Sequence, residues 1–281
     1  MKYQTTGLVK YHSILGWVVY LSATPAGFAV QTTGAGPAVL NPESFRPYVV
    51  AFNRGDRESV ANYIPNAGAW DWMAKNVPLL DCPDEDLEEI YYFRWWSYRK
   101  HIKETPDGFV VTEFLPQVGW SKQHNTINCP IGHHLYEGRW IHDPKFLDDY
   151  TRFYFGKGGD PGGVVVPWID ESLNPDTGAW ITNGDRGANY NHSTYCDLII
   201  SGLIGLRPRA DDTIEVNPLL PDGVWDYFCL DNVRYHSRII TILYDKTGQR
   251  YGKGKGLQVL ADGQRIASSD SLQRLTGSLS R

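Results

Sequence analysis

Cysteine is scarce in this sequence, with 4 residues among 281, and they lie far apart. None forms a Cys-x-x-Cys pair or a mixed His/Cys cluster, so we expect no structural zinc or other metal site. Four cysteines are also too few to replace the core of so long a chain by disulfides. Outside residues 1–30, no segment approaches the roughly 18 to 20 apolar residues of a membrane helix, and no membrane partner is expected.

An excess of basic residues is also absent, because 27 Lys and Arg face 32 Asp and Glu, for a net charge of −5. Without a basic field or a Lys/Arg block, nucleic acid is not an expected partner. The chain has no Gly-x-Ser-x-Gly elbow, phosphate-binding loop or dinucleotide fingerprint. Serine hydrolases, nucleotide enzymes and hydride transfer therefore lack support, and no cofactor is expected.

Aromatic residues are abundant, with 10 Trp and 17 Tyr, and many of them stand beside Arg, His, Glu and Asn. A carbohydrate site needs this mixture, because a pyranose packs its C–H face on an aromatic ring while its hydroxyls need polar partners. The alternative is that these rings are core and interface residues. Composition leaves both interpretations open.

The first thirty residues have two interpretations. Lys2 and Lys10 precede a largely apolar stretch that ends near the small-x-small triplet 27–29, which resembles a secretory signal and would imply a secreted or periplasmic protein. Polar residues within the stretch, such as Ser22, favour an ordinary strand or an irregular leader instead.

The sequence predicts an α+β protein. Its strongest helix signal covers 83–103, with acidic residues at the start, basic residues at the end and Pro106 beyond. Apolar residues at helical spacing predict one buried stripe on this helix: Leu87, Ile90, Tyr91, Trp95, Tyr98 and Ile102. Further helices are predicted at 130–141, at 144–155 and after Ser193.

Beyond residue 207 the pattern changes to strands, predicted at 213–216, 225–230, 238–244 and 256–260, which form a small antiparallel β-domain. Residues 31–76 are rich in Gly, Pro and Asn and are predicted to be irregular. Residues 269–281 are predicted to fray.

Several polar residues that could bind sugar hydroxyls stand beside aromatic residues. Arg94 and Trp95 cannot face the same side of a helix, and they are followed by Trp120 and His124. These residues are candidate sugar contacts. The alternative for them is cation–π packing within the core.

A second cluster, at 132–142, contains His133, Glu137 and Trp140. His133 and Glu137 lie one turn apart, but zinc peptidase motifs need two histidines at i and i+4, which are missing here. We therefore interpret the cluster as a polar pocket, with Trp140 as a candidate sugar contact, and not as a metal site.

In a third cluster, Glu171 lies between Trp168 and an Asn-Pro turn, where partial desolvation would suit a general base. Acidic residues before turns are more often simply solvated, so this pattern alone leaves the role open. Tyr190 and His192 follow as candidate substrate contacts.

Four strings then resemble the mannosylglycerate-hydrolase-like glycoside hydrolases, relatives of trehalase and the processing α-glucosidases. They are YYFRWWSYRKH at 91–101, HHLYEGRW at 133–140, YNHSTYCD at 190–197 and GLRPR at 205–209. The resemblance covers about residues 60–160 and 164–268. It implies a partial (α/α) toroid of the six-hairpin glycosidase type at 31–206 and a β-sandwich-like domain at 207–281.

The resemblance also implies that part of the family's helical fold is missing from this chain. Family members carry further helical hairpins where this chain has the Gly/Pro junction at 160–163, which indicates an internal deletion. The family acts by inversion, with an acid that protonates the glycosidic oxygen and a base that activates water. Glu171 matches the region of the base, whereas the acid belongs to the missing segment. We therefore expect a catalytically impaired glycosidase. The alternative is a non-catalytic carbohydrate-binding or scaffold protein, in which a homo-oligomer would cover the exposed edges of the partial toroid.

Overall fold

A computed structural model of the chain describes residues 36–121, 123–127, 129–154 and 191–280. The leader at 1–30, Glu171 and Tyr190 lie outside these residues. The described part is helical first and β-rich afterwards, which confirms the predicted α+β class. Its helices are α1 (Arg46–Gly55), α2 (Ala69–Asn76), α3 (Glu85–Lys100), α4 (Ile131–Gly138), α5 (Lys145–Arg152) and α6 (Tyr195–Asp197), the last continued by a π-helical segment, Leu198–Leu203.

Helix α3 is the central helix of the α-rich part. The Asp84 side chain caps it by accepting a hydrogen bond from the Leu87 N–H, and acidic residues occupy its first turn, as the helix dipole favours. Its C-terminal half is buried on almost every side, so Arg94, Arg99 and Lys100 lie inside the protein with the aromatic residues. The predicted stripe was wrong at Ile90, which is 48% exposed.

Two antiparallel sheets form most of the β-rich part. The larger has the order β1-β6-β7-β8-β9, and the smaller has the order β10-β5-β4. The strands are β1 (Leu79–Asp81), β4 (Leu206–Arg207), β5 (Thr213–Val216), β6 (Tyr227–Tyr235), β7 (Arg238–Asp245), β8 (Gly256–Ala261), β9 (Gln264–Ser269) and β10 (Leu275–Ser278). A separate hairpin pairs β2 (Ile102–Thr105) with β3 (Gly108–Val111).

Two predictions about irregular regions were wrong, and one strand was missed. Residues 31–76 contain α1 and α2, which bury Val49, Trp70 and Met73 against α3 despite their polar composition. The C-terminal residues do not fray, because β10 pairs with β5. Strand β1 was not predicted, since three residues carry no periodicity, yet it forms the edge of the larger sheet beside β6.

The segment 38–40 is held on this sheet by one buried carboxylate. Asp231 accepts hydrogen bonds from the backbone N–H groups of Ala38, Val39 and Leu40 at 3.2, 2.7 and 2.8 Å. It also accepts from the Thr241 hydroxyl at 2.6 Å and from its neighbour's amide, the Asn232 N–H, at 2.8 Å. Five donors thus replace the water that a carboxylate would otherwise need. Among the described residues, no helix is long and apolar enough to cross a membrane.

Candidate functional site

A buried ion pair joins α3 to α4. The Arg94 guanidinium donates to Glu137 Oε2 at 2.5 Å, and both side chains are at most 8% exposed. Glu137 Oε1 accepts from the Cys196 backbone N–H at 3.1 Å, which fixes the start of α6 as well. Burial raises the pKa of Glu137 from its ordinary value, and the Arg94 charge opposes that rise. The pair therefore fixes three helices around one charged centre.

Asn191 extends this centre to the end of the β2–β3 hairpin. Its side-chain oxygen accepts a hydrogen bond from Arg94, and its Nδ2 donates to the Thr112 carbonyl at 3.1 Å. Its backbone N–H donates to the Glu113 carbonyl at 2.9 Å. Every one of these groups is buried, so each needs its partner. Asn191 thereby sets the position of the residue that follows it, His192.

His134 completes the network as a neutral imidazole. Burial lowers its pKa to about 3, so it carries no charge at neutral pH. Its Nε2 lies 2.6 Å from the Asn191 carbonyl, which can only accept, so the proton is on Nε2. Nδ1 then accepts from the Tyr150 hydroxyl at 2.9 Å, and the Tyr98 hydroxyl donates to the His134 carbonyl. We call Arg94, Glu137, Asn191 and His134 the polar platform.

Glu113, His192 and His133 lie together at the margin of this platform, and we call them the margin cluster. Glu113 follows β3 and is 4% exposed. His192 Nδ1 lies 3.1 Å from Glu113 Oε1, and the His133 ring lies 4.3 Å from the His192 ring between centroids. His133 is half-buried, whereas the His192 side chain is only 9% exposed. A carboxylate with two imidazoles offers acceptors and donors for hydroxyls and can pass protons between them.

An exposed aromatic ring lies close to the margin cluster along the chain. Phe114 follows Glu113 directly and meets Trp120 edge to face, with centroids 6.0 Å apart. Trp120 is 54% exposed, so its indole can receive the apolar face of a sugar. His124 pairs with Asp107 at 2.9 Å and packs near Phe153. Of the described sugar-contact candidates, Trp120 and His124 are therefore the ones within reach of solvent, with side-chain exposure falling to 9% at His192.

The other candidates are buried. Arg94 belongs to the polar platform, and Trp95 is fully buried against Tyr91 and Tyr98. Trp140 is 3% exposed, and its Nε1–H donates to Asp197 Oδ1 at 2.7 Å. This burial favours a supporting role for these three residues. Their assignment as direct sugar contacts stays a prediction, as do the roles of Glu171 and Tyr190.

The sequence pattern did not point to Asn191 or to the partner of Glu137. Comparison of the 132–142 cluster with metal-binding helices paired Glu137 with His133, whereas Glu137 turns to the buried Arg94. The signal available in the sequence was one residue of each charge, Arg94 and Glu137, within two predicted helices that are rich in aromatic residues. Among the described residues, no group of three or more His, Cys, Asp or Glu could hold a metal ion.

Comparison with known proteins gives two findings. Residues 206–267 match the family model of the glycosyl hydrolase family 65 C-terminal domain. A solved structure titled "Sialidase" superimposes with a TM-score of 0.78 at 25% identity, covering 88% of this chain and 46% of the other. The chain therefore spans about half the length of that protein.

Proposed function

Since the chain is related to the glycoside hydrolases, as its sequence indicated, we propose that it binds carbohydrate at the margin cluster. The observation that carries this proposal is the close contact of Glu113 with His192, beside His133 and above a fixed polar platform. Trp120 would receive the apolar face of a sugar ring, and His124 would border the site. A site of this kind needs rigid support, which the buried Arg94–Glu137 pair supplies.

We further propose that the α-rich part is a partial (α/α) toroid that resembles mannosylglycerate hydrolases and carries an internal deletion near 160–164. The likeness to the sialidase-titled structure over 88% of this chain supports the relationship, and the proposed deletion rests on the family resemblance at 60–160 and 164–268. The 206–267 match supports the assignment of 207–281 as the β-domain that follows the toroid.

Hydrolysis is proposed to be weak. By its resemblance to the family, Glu171 would activate water as the base, whereas the acid belongs to the missing segment. Loss of proton donation alone removes about 10²–10⁴-fold in rate. Glu113 is a carboxylate at the proposed site, but His192 already holds one of its oxygens, and this favours binding over proton donation.

A non-catalytic carbohydrate-binding or scaffold protein is the second candidate. It is favoured by the apolar outer side of α3, where Ile90 is 48% and Phe93 is 45% exposed. A toroid without all its hairpins would leave such faces open, and a second copy of the chain would cover them. Sedimentation of the wild type beside Phe93→Ser would test whether copies of the chain associate through this side, and a monomer in both cases would exclude the oligomeric scaffold.

The central experiment measures binding and turnover separately. A panel of neutral glycosides is titrated against the wild type, Trp120→Ala and Glu113→Gln, with Glu104→Gln as an exposed control on the same hairpin. We expect about 10-fold weaker binding in the first two variants and no change in the control. Equal affinity in all four proteins would refute the proposed site.

Turnover of the same panel is measured for the wild type and Glu171→Gln. Weak activity that disappears in the variant would support Glu171 as the base. Activity that is unchanged in Glu171→Gln would exclude that role. Robust turnover by the wild type would refute the proposed impairment.

A further inference from the structure

The β-rich part has a cavity that shares no residue with the margin cluster. It has a volume of about 400 Å³ and is lined by Gly252, Lys253, Gly254, Leu260, Gly263 and Arg265. Pockets that bind small molecules in proteins span roughly 300–1,000 Å³, so this one is large enough for a single sugar unit.

Two glycines shape the wall of this cavity. Gly252 has φ +64°, and a Cβ placed there would meet no atom within 4 Å, so the backbone borders open space. Gly254 has φ +104°, and its Cβ would lie 3.0 Å from Arg265 Nη2. Side chains at these positions would fill the space or displace the guanidinium. The loop therefore presents bare backbone beside two cations.

The charges around the cavity are not balanced. Two other cations of the loop that joins β7 to β8 have acidic partners, because Lys246 pairs with Asp226 at 2.7 Å and Arg250 with Asp81 at 2.9 Å. In the ion pairs recorded for the described ranges, neither Lys253 nor Arg265 has a carboxylate partner. This is a local positive site on a protein with a net charge of −5.

The position of Arg265 is fixed from two sides. It stands opposite Leu260 in the β8–β9 register, and its Nη2 donates to the Lys253 carbonyl. The remaining guanidinium donors are available to a ligand, and their planar arrangement matches a carboxylate. Leu260 is 3% exposed because it packs with Cys229 and Leu243, so it closes the floor of the cavity.

We infer that this cavity is a second binding site, specific for a sugar unit that carries a carboxylate, of the uronic acid type. Lys253 and Arg265 bind the carboxylate, and the bare glycine backbone accepts the ring. The inference rests on the cavity and its charges and does not require the margin cluster to bind sugar.

The test compares three probes that distinguish the contribution of the negative charge from that of the sugar ring. Methyl glucuronide and methyl glucoside differ only in the carboxylate, and inorganic phosphate supplies an anion without a ring. Each is titrated against the full chain at low salt, with the amide signals of Gly252, Gly254 and Gly263 followed by NMR. We expect these signals to move with methyl glucuronide, and the affinity to fall as salt rises.

The variants are Lys253→Ala, Arg265→Ala and their combination, with Lys246→Ala as the matched control on the same loop. Lys253→Ala keeps the carbonyl that accepts from Arg265, so it is the cleaner of the single changes. We expect the double variant to bind methyl glucuronide at least about 10-fold more weakly, and Lys246→Ala to bind within about 2-fold of the wild type. Thermal unfolding of each variant checks that the β-rich part stays folded.

Four results would overturn the inference: no movement of the glycine signals, equal affinity for the glucoside and the glucuronide, phosphate binding as tightly as the glucuronide, or an unchanged affinity in the double variant. Glu113→Gln separates this inference from the proposed function. This variant should weaken the binding of neutral glycosides at the margin cluster. The movement of the three glycine signals on addition of methyl glucuronide should be unchanged.

Discussion

Replacement of Arg94 by Met tests whether the polar platform is held by charge. Met keeps much of the length of the side chain but removes the donors to Glu137, Asn191 and Ser97. Glu137 is fully buried and would keep the Cys196 N–H as its remaining partner. An uncompensated buried charge typically costs about 3–5 kcal/mol, and we expect this loss in the free energy of unfolding.

Urea unfolding of four proteins measures this cost: wild type, Arg94→Met, Glu137→Gln and the double variant. Since Gln is neutral, the double variant should be more stable than the sum of the single losses predicts, by about 2 kcal/mol. A loss below about 1 kcal/mol in Arg94→Met, or strict additivity in the cycle, would refute the argument.

The pH dependence of stability gives an independent measure of the interaction between Arg94 and Glu137. Burial raises the pKa of Glu137 in the folded state above its ordinary value of 4.5, so folding favours the protonated form. Stability from this group is then fully present below that value and is lost as pH rises through the higher folded pKa. Without the Arg94 charge the folded pKa rises further, so Arg94→Met should lose more stability between acidic and neutral pH than the wild type. Parallel pH curves for the two proteins would contradict this.

Further predictions concern the framework and the site. Asp231→Asn should lower the free energy of unfolding by about 3 kcal/mol in urea, because buried donors would face an amide nitrogen; a loss below about 1 kcal/mol would contradict this. Gly205→Ala should cost about 2 kcal/mol or more, since φ is +88° and the Cβ would lie 2.1 Å from the Asn217 carbonyl oxygen; an unchanged melting temperature would refute it. Burial raises the pKa of Glu88, so the wild type should lose stability relative to Glu88→Gln as pH rises above about 4.5; a pH-independent difference would argue against this. Trp120→Ala should weaken sugar binding while changing the melting temperature by less than about 2 °C, because the ring is exposed.

Much of the framework could be predicted from local signals. Acidic and basic ends with a proline beyond marked α3, and alternation marked β5 within its observed bounds, Thr213–Val216. Strand β1 and helix α1 could not be predicted, because their partners supply their stability: β1 needs β6, and α1 needs the aromatic side of α3. Short or polar segments of this kind carry little periodicity of their own.

The residues of the candidate site were likewise predictable from the sequence only in part. Trp120 and His192 were identified from their residue types; Trp120 lies where solvent can reach it, and His192 contacts the buried Glu113. Arg94 was identified as a sugar contact, but its charge is used inside the protein. Sequence alone cannot distinguish a buried Arg from an exposed one when its partner, Glu137, lies 43 residues away. Asn191 was missed because its importance comes from contacts with three distant elements.

Strand β1 affects how this protein can be divided. Residues 79–81 supply the outermost strand of a sheet whose remaining strands begin at 227. A recombinant fragment that starts at the proposed domain boundary of 207 would leave the backbone groups of β6 facing this strand without partners. Open strand edges pair with other molecules, so such a fragment would tend to self-associate unless a peptide containing 79–81 were supplied in trans.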